Sequence, residues 1–261
     1  MAHRVHQSYD DHRNFYIEAH RFMLLKIQKV ASTSLWVSMA QLLGHSVKTR
    51  EQLLGIQLPK LSGLLLQEYP KVFKAGFVRN PWDRLLSCYL QKKVYKRHKF
   101  YKRNNIDPEI SFPDFVKTVC AIPDWKADKH FRSQFTFVCN FEGELLTDYI
   151  GRFEYLNEDF NTMCRLANLP NAVLPHWNTT AHEVYTKYYT PVLVDQVAQR
   201  YEIDLALFGY KYGQALSEEA RHHWNNPIPL SLKIKIAQYK SAKLLNCISE
   251  LSAEVNLFEC D

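Results

Sequence analysis

Lys29 stands where an apolar run, FMLLKI (22–27), gives way to Val30, Ala31, Ser32, Thr33 and Ser34, before apolar residues resume at helical spacing. A loop that enters a helix N-terminus offers unpaired backbone N–H groups and the positive end of the helix dipole. Lys29 adds a full charge, and the hydroxyls of Ser32, Thr33 and Ser34 add donors for phosphate or sulfate oxygens. On this segment alone, an anion grip and a solvated lysine before an ordinary Ser or Thr cap are equally good readings. A second segment, KAGFVRNPWDRLLSCY (74–89), repeats the layout. Arg79 closes an apolar run, a helix follows, and Ser87 lies two turns into it. A guanidinium forks onto phosphate and a hydroxyl can donate to the same group. The alternative for Arg79 is a structural ion pair. Two such grips in one chain point to a ligand with two separate anionic ends.

The elements that must hold these residues follow from periodicity. FMLLKI reads as a buried strand and 34–43 as a helix with Gly44 at its C-cap. KAGFVR reads as a second strand. Asn80 and Pro81 then open a helix through 82–95, with Asn as N-cap, Pro at the first helical position and Asp83 in the first turn. Helical pieces are expected around 52–56 and 61–69, and FPDFVKTVC carries helical periodicity. Residues 135–141 read as a third strand, TDYIGRFEYL as a fourth, NEDFNTMCRLANLP as a helix ending near Asn168, and 184–210 as a further helical region. Strands alternating with helices favour an α/β sandwich around a parallel sheet. Residues 1–20 are expected to be a polar, solvated arm, with room for a short helix. From about Ala215 the tail changes character. Ala237, Leu244, Ile248, Leu251, Val255 and Phe258 fall at three- and four-residue steps, the pattern of one amphipathic helix that packs on the domain or forms a dimer seam.

Bulk properties bound the function. The chain has 261 residues, 46% of them hydrophobic, with fifteen Tyr, fifteen Phe and five Trp, enough for one packed domain with an appendage. A net charge of +6 favours anionic partners, mildly. The six cysteines are scattered singly and read as buried free thiols, with no ligand spacing for zinc. The polar start lacks the apolar core of a secretory signal, and no run is long enough to span a bilayer. A soluble, cytoplasmic protein is the expectation. Asn178-Thr179-Thr180 fits a glycosylation triplet, a pattern common by chance.

The two anion-grip segments resemble the 5′-phosphosulfate loop and the 3′-phosphate motif of the sulfotransferases, and the wider pattern resembles their carbohydrate sulfotransferase branch, family 2. FVRNPWDRLLSCY is similar to that branch's Arg-x-Pro-[aromatic]-x-Arg-Leu-x-Ser-x-Tyr pattern. DKHFRSQ (128–134) resembles its Asp-x-His-[aromatic]-x-x-Gln stretch. DYIGRFEYLNEDF (148–160) and YYTPVLVDQVAQRYEIDLALFGY (188–210) resemble later segments, in the family's order, from about Arg21 to Gly213. The resemblance implies a P-loop NTPase-like three-layer α/β sandwich over 21–213, preceded by the arm (1–20) and followed by a helical appendage (214–261). It implies transfer of a sulfuryl group from 3′-phosphoadenosine 5′-phosphosulfate to a hydroxyl of a carbohydrate, without a metal, and a place in the Golgi lumen if this is a piece of an anchored chain. Lys29 would meet charge growing on the leaving phosphate oxygen. The amides of Val30 and Ala31 with Ser32, Thr33 and Ser34 would hold the 5′-phosphate, and Arg79 with Ser87 the 3′-phosphate. The family usually has Pro before the loop lysine and often Gly two residues after it; here stand Gln28 and Ala31. Ala31 serves if its φ stays negative, because a left-handed alanine is strained.

A general base must take the acceptor proton. His130 is the candidate, since a neutral imidazole suits the task at ordinary pH, and a structural histidine is the alternative. His45, Glu51 and Glu68 are further candidates near the loops. The run QKKVYKRHKFYKRNN (91–105) places Lys92, Lys93, Lys96 and Arg97 among aromatic residues with no acid between them. Most such runs are solvated faces. In a carbohydrate sulfotransferase this one would suit the groove for an acidic glycan, and no nucleic-acid module accompanies it. Two rivals remain. An ATP-dependent P-loop kinase lacks its glycines and its magnesium Asp here, FTFVCN (135–140) ending in Asn140. A non-catalytic polyanion-binding protein would use the basic run alone.

Overall fold

The computed structural model describes residues 14–56, 60–61, 71–94, 98–170, 174–175, 183–242 and 245. Five strands form one sheet in the order β3-β1-β2-β4-β5: β1 (Asn14–Ile17), β2 (Phe22–Leu24), β3 (Lys60–Leu61), β4 (Phe73–Val78) and β5 (Tyr149–Arg152). β2, β4 and β5 run parallel, with Leu24 opposite Ala75 and Val78 opposite Arg152. β1 joins antiparallel to both β2 and β3. The architecture is mixed α/β with a parallel centre.

β4 is buried almost throughout because it lies between two parallel neighbours. Gly151 permits its pairing with β5, since a Cβ there would lie 2.4 Å from the Phe77 ring. After β2 comes α1 (Ser32–Leu42), and Gly44 (φ +81) closes the helix as expected. After β4 comes α3 (Pro81–Val94), where the Asn80 side chain accepts from Trp82 N–H at 3.1 Å. Between them, α2 (Arg50–Gly55) starts on a reciprocal cap between Thr49 and Gln52. The helices α4 (His98–Asn104), α5 (Phe112–Ala121), α7 (Leu156–Leu166), α8 (Pro191–Arg200) and α9 (Glu202–Phe208) pack around this frame.

Three expectations change. Residues 14–17 are not part of a solvated arm. Phe15 and Ile17 are buried, and Phe15 stacks on Trp36 at 5.7 Å. The run 135–141 is not a strand. Its first residues form the helical turn α6 (Phe135–Val138), because Asp204 accepts from the N–H groups of Gln134 and Phe135, both at 2.8 Å. Those amides cap a turn and have nothing left for a ladder. In the piece expected to be helical at 61–69, Leu61 is in β3 and the remainder lies outside the described residues. The triplet at 178–180 lies outside them too.

Two apolar clusters result. One surrounds the sheet and includes Val30, Phe77 and Phe160. The other joins α3, α5 and α8 through Leu86, Phe115, Phe131 and Val197. The candidate site lies on the seam between them.

Candidate active site

Adjacent parallel strands end at the same sheet edge, so the chain leaving β2 and the chain leaving β4 emerge side by side. That places Lys29 beside Arg79. The Arg79 guanidinium donates from Nη1 to the Lys29 carbonyl at 3.1 Å and pairs through Nε with Asp83 at 2.8 Å. It lies 3.8 Å from the centre of the Phe153 ring. The structural ion pair that was the alternative for Arg79 is therefore present in the structure. It is ion-paired, and it is fixed against the lysine loop. Ser87 is buried on α3, the helix that follows Arg79.

The loop solves its missing glycines by strain. Lys29 has φ +72 and Ala31 has φ +59, both left-handed, so the condition of a negative φ at Ala31 is not met. Ala31 leads directly into the right-handed Ser32, and Leu35 N–H bonds back to the Ala31 carbonyl at 3.1 Å. A left-handed residue followed by a right-handed one turns successive N–H groups to one side, which makes an anion-binding concavity. The α1 N-terminus follows directly with Ser32, Thr33 and Ser34, and Ser34 is itself buried.

Lys29 is 9% exposed. Burial brings its pKa down to about 7; Cys88 opposes this, while Arg79, Lys92 and Arg84 push further down. A lysine so placed gains its full charge most readily when an anion arrives. Arg84, one turn into α3, is buried and ties the walls together. It donates to the carbonyls of Gln28 at 3.0 Å, Arg132 at 2.8 Å and Lys129 at 3.3 Å. Arg84, Cys88 and Lys92 follow one another at four-residue spacing on one buried face of α3.

The segment 128–134 forms the opposite wall. Gln134 receives the Arg79 N–H at 2.9 Å and returns a bond to the Arg79 carbonyl at 2.9 Å. His130 lies within electrostatic range of Lys29 and Lys92. Its Nδ1 is 2.5 Å from Asp128 Oδ1, and its ring meets Phe100 edge-on at 5.8 Å. Burial lowers the imidazole pKa to about 4; Asp128 opposes this, and the two lysines reinforce it. His45 and Glu51 are exposed, and Glu68 lies outside the described residues.

Lys92 is not on a solvated face. It is buried, with Nζ 4.6 Å from the centre of the Phe100 ring, on the His130 side of the site. Lys93 is exposed beside Tyr89. Lys96 and Arg97 lie outside the described residues. Sequence reasoning missed Arg84, Asp128, Gln134 and Asp204 as parts of the frame. The signals available were the four-residue spacing through Lys92 and the quoted stretch DKHFRSQ. Among the described residues, no three His, Cys, Asp or Glu side chains gather as a metal site requires, and no helix is long and apolar enough to cross a membrane.

An uncharacterized protein of Archaeoglobus fulgidus is 31% identical over 111 residues, covering 42% of this chain and 80% of its own. No solved structure matches. Residues 12–211 match the sulfotransferase family, a span that takes in the lysine loop, α3, the His130 wall and the strand β5. The chain belongs to the sulfotransferase family, in its family 2 branch.

Proposed function

We propose that this protein transfers a sulfuryl group from 3′-phosphoadenosine 5′-phosphosulfate to a hydroxyl of a carbohydrate, and that its fold is the P-loop NTPase-like sandwich of such enzymes. The observation that carries the reading is the Arg79–Lys29 hydrogen bond, which brings the two strand-to-helix segments side by side. The donor, when bound, supplies the sulfuryl group and a phosphate leaving group. The loop amides of Val30 and Ala31 with Ser32, Thr33 and Ser34 hold the 5′-phosphate; Arg79 and Ser87 hold the 3′-phosphate. Such transfers pass through a loose transition state, so positioning and charge stabilisation do most of the work. Lys29 meets the charge that grows on the leaving oxygen. His130 takes the acceptor proton. Lys92 and Lys93, with Lys96 and Arg97 beyond them, favour an acidic glycan as acceptor.

The test is thermal-shift titration with adenosine 3′,5′-bisphosphate in the absence of magnesium. Stabilisation that grows with ligand concentration is expected. No shift with this ligand, together with a shift on ATP and magnesium, would replace the reading with a kinase. Sulfate transfer from the donor to a panel of acidic and neutral glycans then tests the acceptor class, and acidic glycans are expected to be preferred.

A further inference from the structure

The geometry points to Asp128 as the positioning residue of the base: it fixes His130 with its proton on Nδ1, so that the Nε2 lone pair is the one available to the acceptor hydroxyl. The inference rests on His130 being that base. Asp128 holds His130 by two bonds, accepting from the ring Nδ1–H at 2.5 Å and from the backbone N–H at 2.9 Å, both on Oδ1. A carboxylate accepts only, so a neutral ring facing it must carry its proton on Nδ1. The other carboxylate oxygen is engaged by Arg103 of α4. Asp128 is anchored in turn by its own carbonyl, which receives Phe131 N–H at 3.0 Å and Arg132 N–H at 2.8 Å. Its side chain is 5% exposed and the imidazole 17%, so the pair is sheltered while part of the ring stays accessible.

The charges around the ring agree with a positioning role. Lys29 from the loop and Lys92 from α3 face His130, and Phe100 from α4 packs its edge. Burial, reinforced by these cations, keeps the resting imidazole neutral, whereas Asp128 favours the imidazolium. Burial opposes its charge, yet His130 and Arg103 hold the Asp128 carboxyl well below the usual carboxylate range. It is thus ionised whenever the base works. In the transfer step the acceptor oxygen bonds to sulfur and its proton passes to His130 Nε2. The sulfur–oxygen bond to the 5′-phosphate breaks, and the electron pair leaves with the phosphate towards Lys29. Asp128 faces the imidazolium so formed without taking a proton from it.

Two measurements test this. The first needs no turnover. Nitrogen-15 NMR of histidine-labelled protein near neutral pH, with His130 assigned by its loss in His130→Ala, is expected to show the Nδ1–H tautomer. Asp128→Asn, nearly the same shape, is expected to move the population towards Nε2–H. An Nε2–H tautomer in the unaltered protein overturns the proposal. The second is a mutant cycle in sulfate transfer. Asp128→Asn is expected to lower kcat by roughly 100-fold with the bisphosphate Kd unchanged. Added to His130→Ala, it is expected to cost nothing more, because it acts only through the ring. Multiplicative losses overturn the proposal. If no acceptor is sulfated by the unaltered protein, the functional reading fails while the NMR result still decides whether Asp128 sets the tautomer.

Discussion

A buried lysine with a pKa near 7 is a poor surface cation and a good anion sensor. Free, Lys29 is about half charged at neutral pH, because burial and the charges of Arg79, Arg84 and Lys92 oppose its proton. An oxyanion against Nζ reverses that balance and raises the pKa, so binding above pH 7 must take up a proton. The sign is fixed: affinity for adenosine 3′,5′-bisphosphate falls as pH rises past 7, by up to about tenfold per unit. Calorimetry near pH 8.5 in two buffers of different ionisation enthalpy is expected to show uptake approaching one proton in the unaltered protein and little in Lys29→Ala. The variant is also expected to lose roughly 100-fold or more in turnover, and the weaker bisphosphate binding left to Arg79 and Ser87 is expected to lose its fall above pH 7. Proton-neutral binding by the unaltered protein would remove Lys29 from the anion's neighbourhood. Lys29 and Arg79 were legible in the sequence because a cation at the end of an apolar run is a positional signal. Arg84 and Gln134 were not legible as partners. Their hydrogen bonds run to backbone groups 45 to 56 residues away, and side-chain type does not encode that pairing.

At the scale of elements, the loop 25–31 shows how a grip forms without glycine. Ala31 sits at φ +59 and ψ +30, where its Cβ crowds the following carbonyl at a cost of about 1–2 kcal/mol. The strain is held by the buried neighbours Ile27, Val30 and Leu35 and by the Arg84 and Arg79 bonds to the Gln28 and Lys29 carbonyls. Ala31→Gly removes the crowding but frees the unfolded chain, an opposing cost of about 0.5–1 kcal/mol. A net gain of about 0.5–1 kcal/mol is expected in urea denaturation, with bisphosphate affinity nearly unchanged. A loss of stability would mean that the left-handed geometry is not the resting state of the loop. The strand-to-helix layout was legible here, since apolar runs followed by Asn-Pro or by hydroxyl residues carry local meaning. FTFVCN misled for a physical reason. A short apolar run is compatible with a strand or a buried helical turn. The choice was made by Asp204, some seventy residues on, which caps the Gln134 and Phe135 amides.

At the scale of the whole molecule, the family match ends at residue 211, yet the apolar core continues past it. Residues 230–242 form a helix, α10, whose Leu232 and Ile236 enter the sheet-side cluster while Leu230 and Ile234 face outward. The expected stripe began at Ala237; the buried face within the described residues begins earlier, and Leu244, Ile248, Leu251, Val255 and Phe258 fall outside the described side chains. The docking surface is the loop 139–145, closed by the bridge between Cys139 and Leu145. Lys240 donates to the Cys139 carbonyl, and Lys233 pairs with Glu144 at 3.1 Å. Tyr239 meets Phe135 edge-on at 5.0 Å, so the helix also touches the turn next to Gln134 and hence the wall of the site. The tightest contact is at Gly143. Its φ is +76, and a Cβ there would come within 2.6 Å of the Lys233 carbonyl. Gly143→Ala therefore meets a backbone obstacle as well as a strained φ, and it cannot be relieved by a rotamer change. An element merely appended to a finished domain would tolerate the substitution by swinging away, with a loss of less than about 0.5 kcal/mol. A helix that completes the core would not. Gly143→Ala is expected to cost at least about 1–2 kcal/mol, and Ile236→Ala about 2–4 kcal/mol, in one cooperative urea transition. Leu230→Ala, on the exposed side, is expected to stay within about 0.5 kcal/mol. Separate transitions, or an Ile236→Ala as mild as Leu230→Ala, would return residues 214–261 to the status of an appendage.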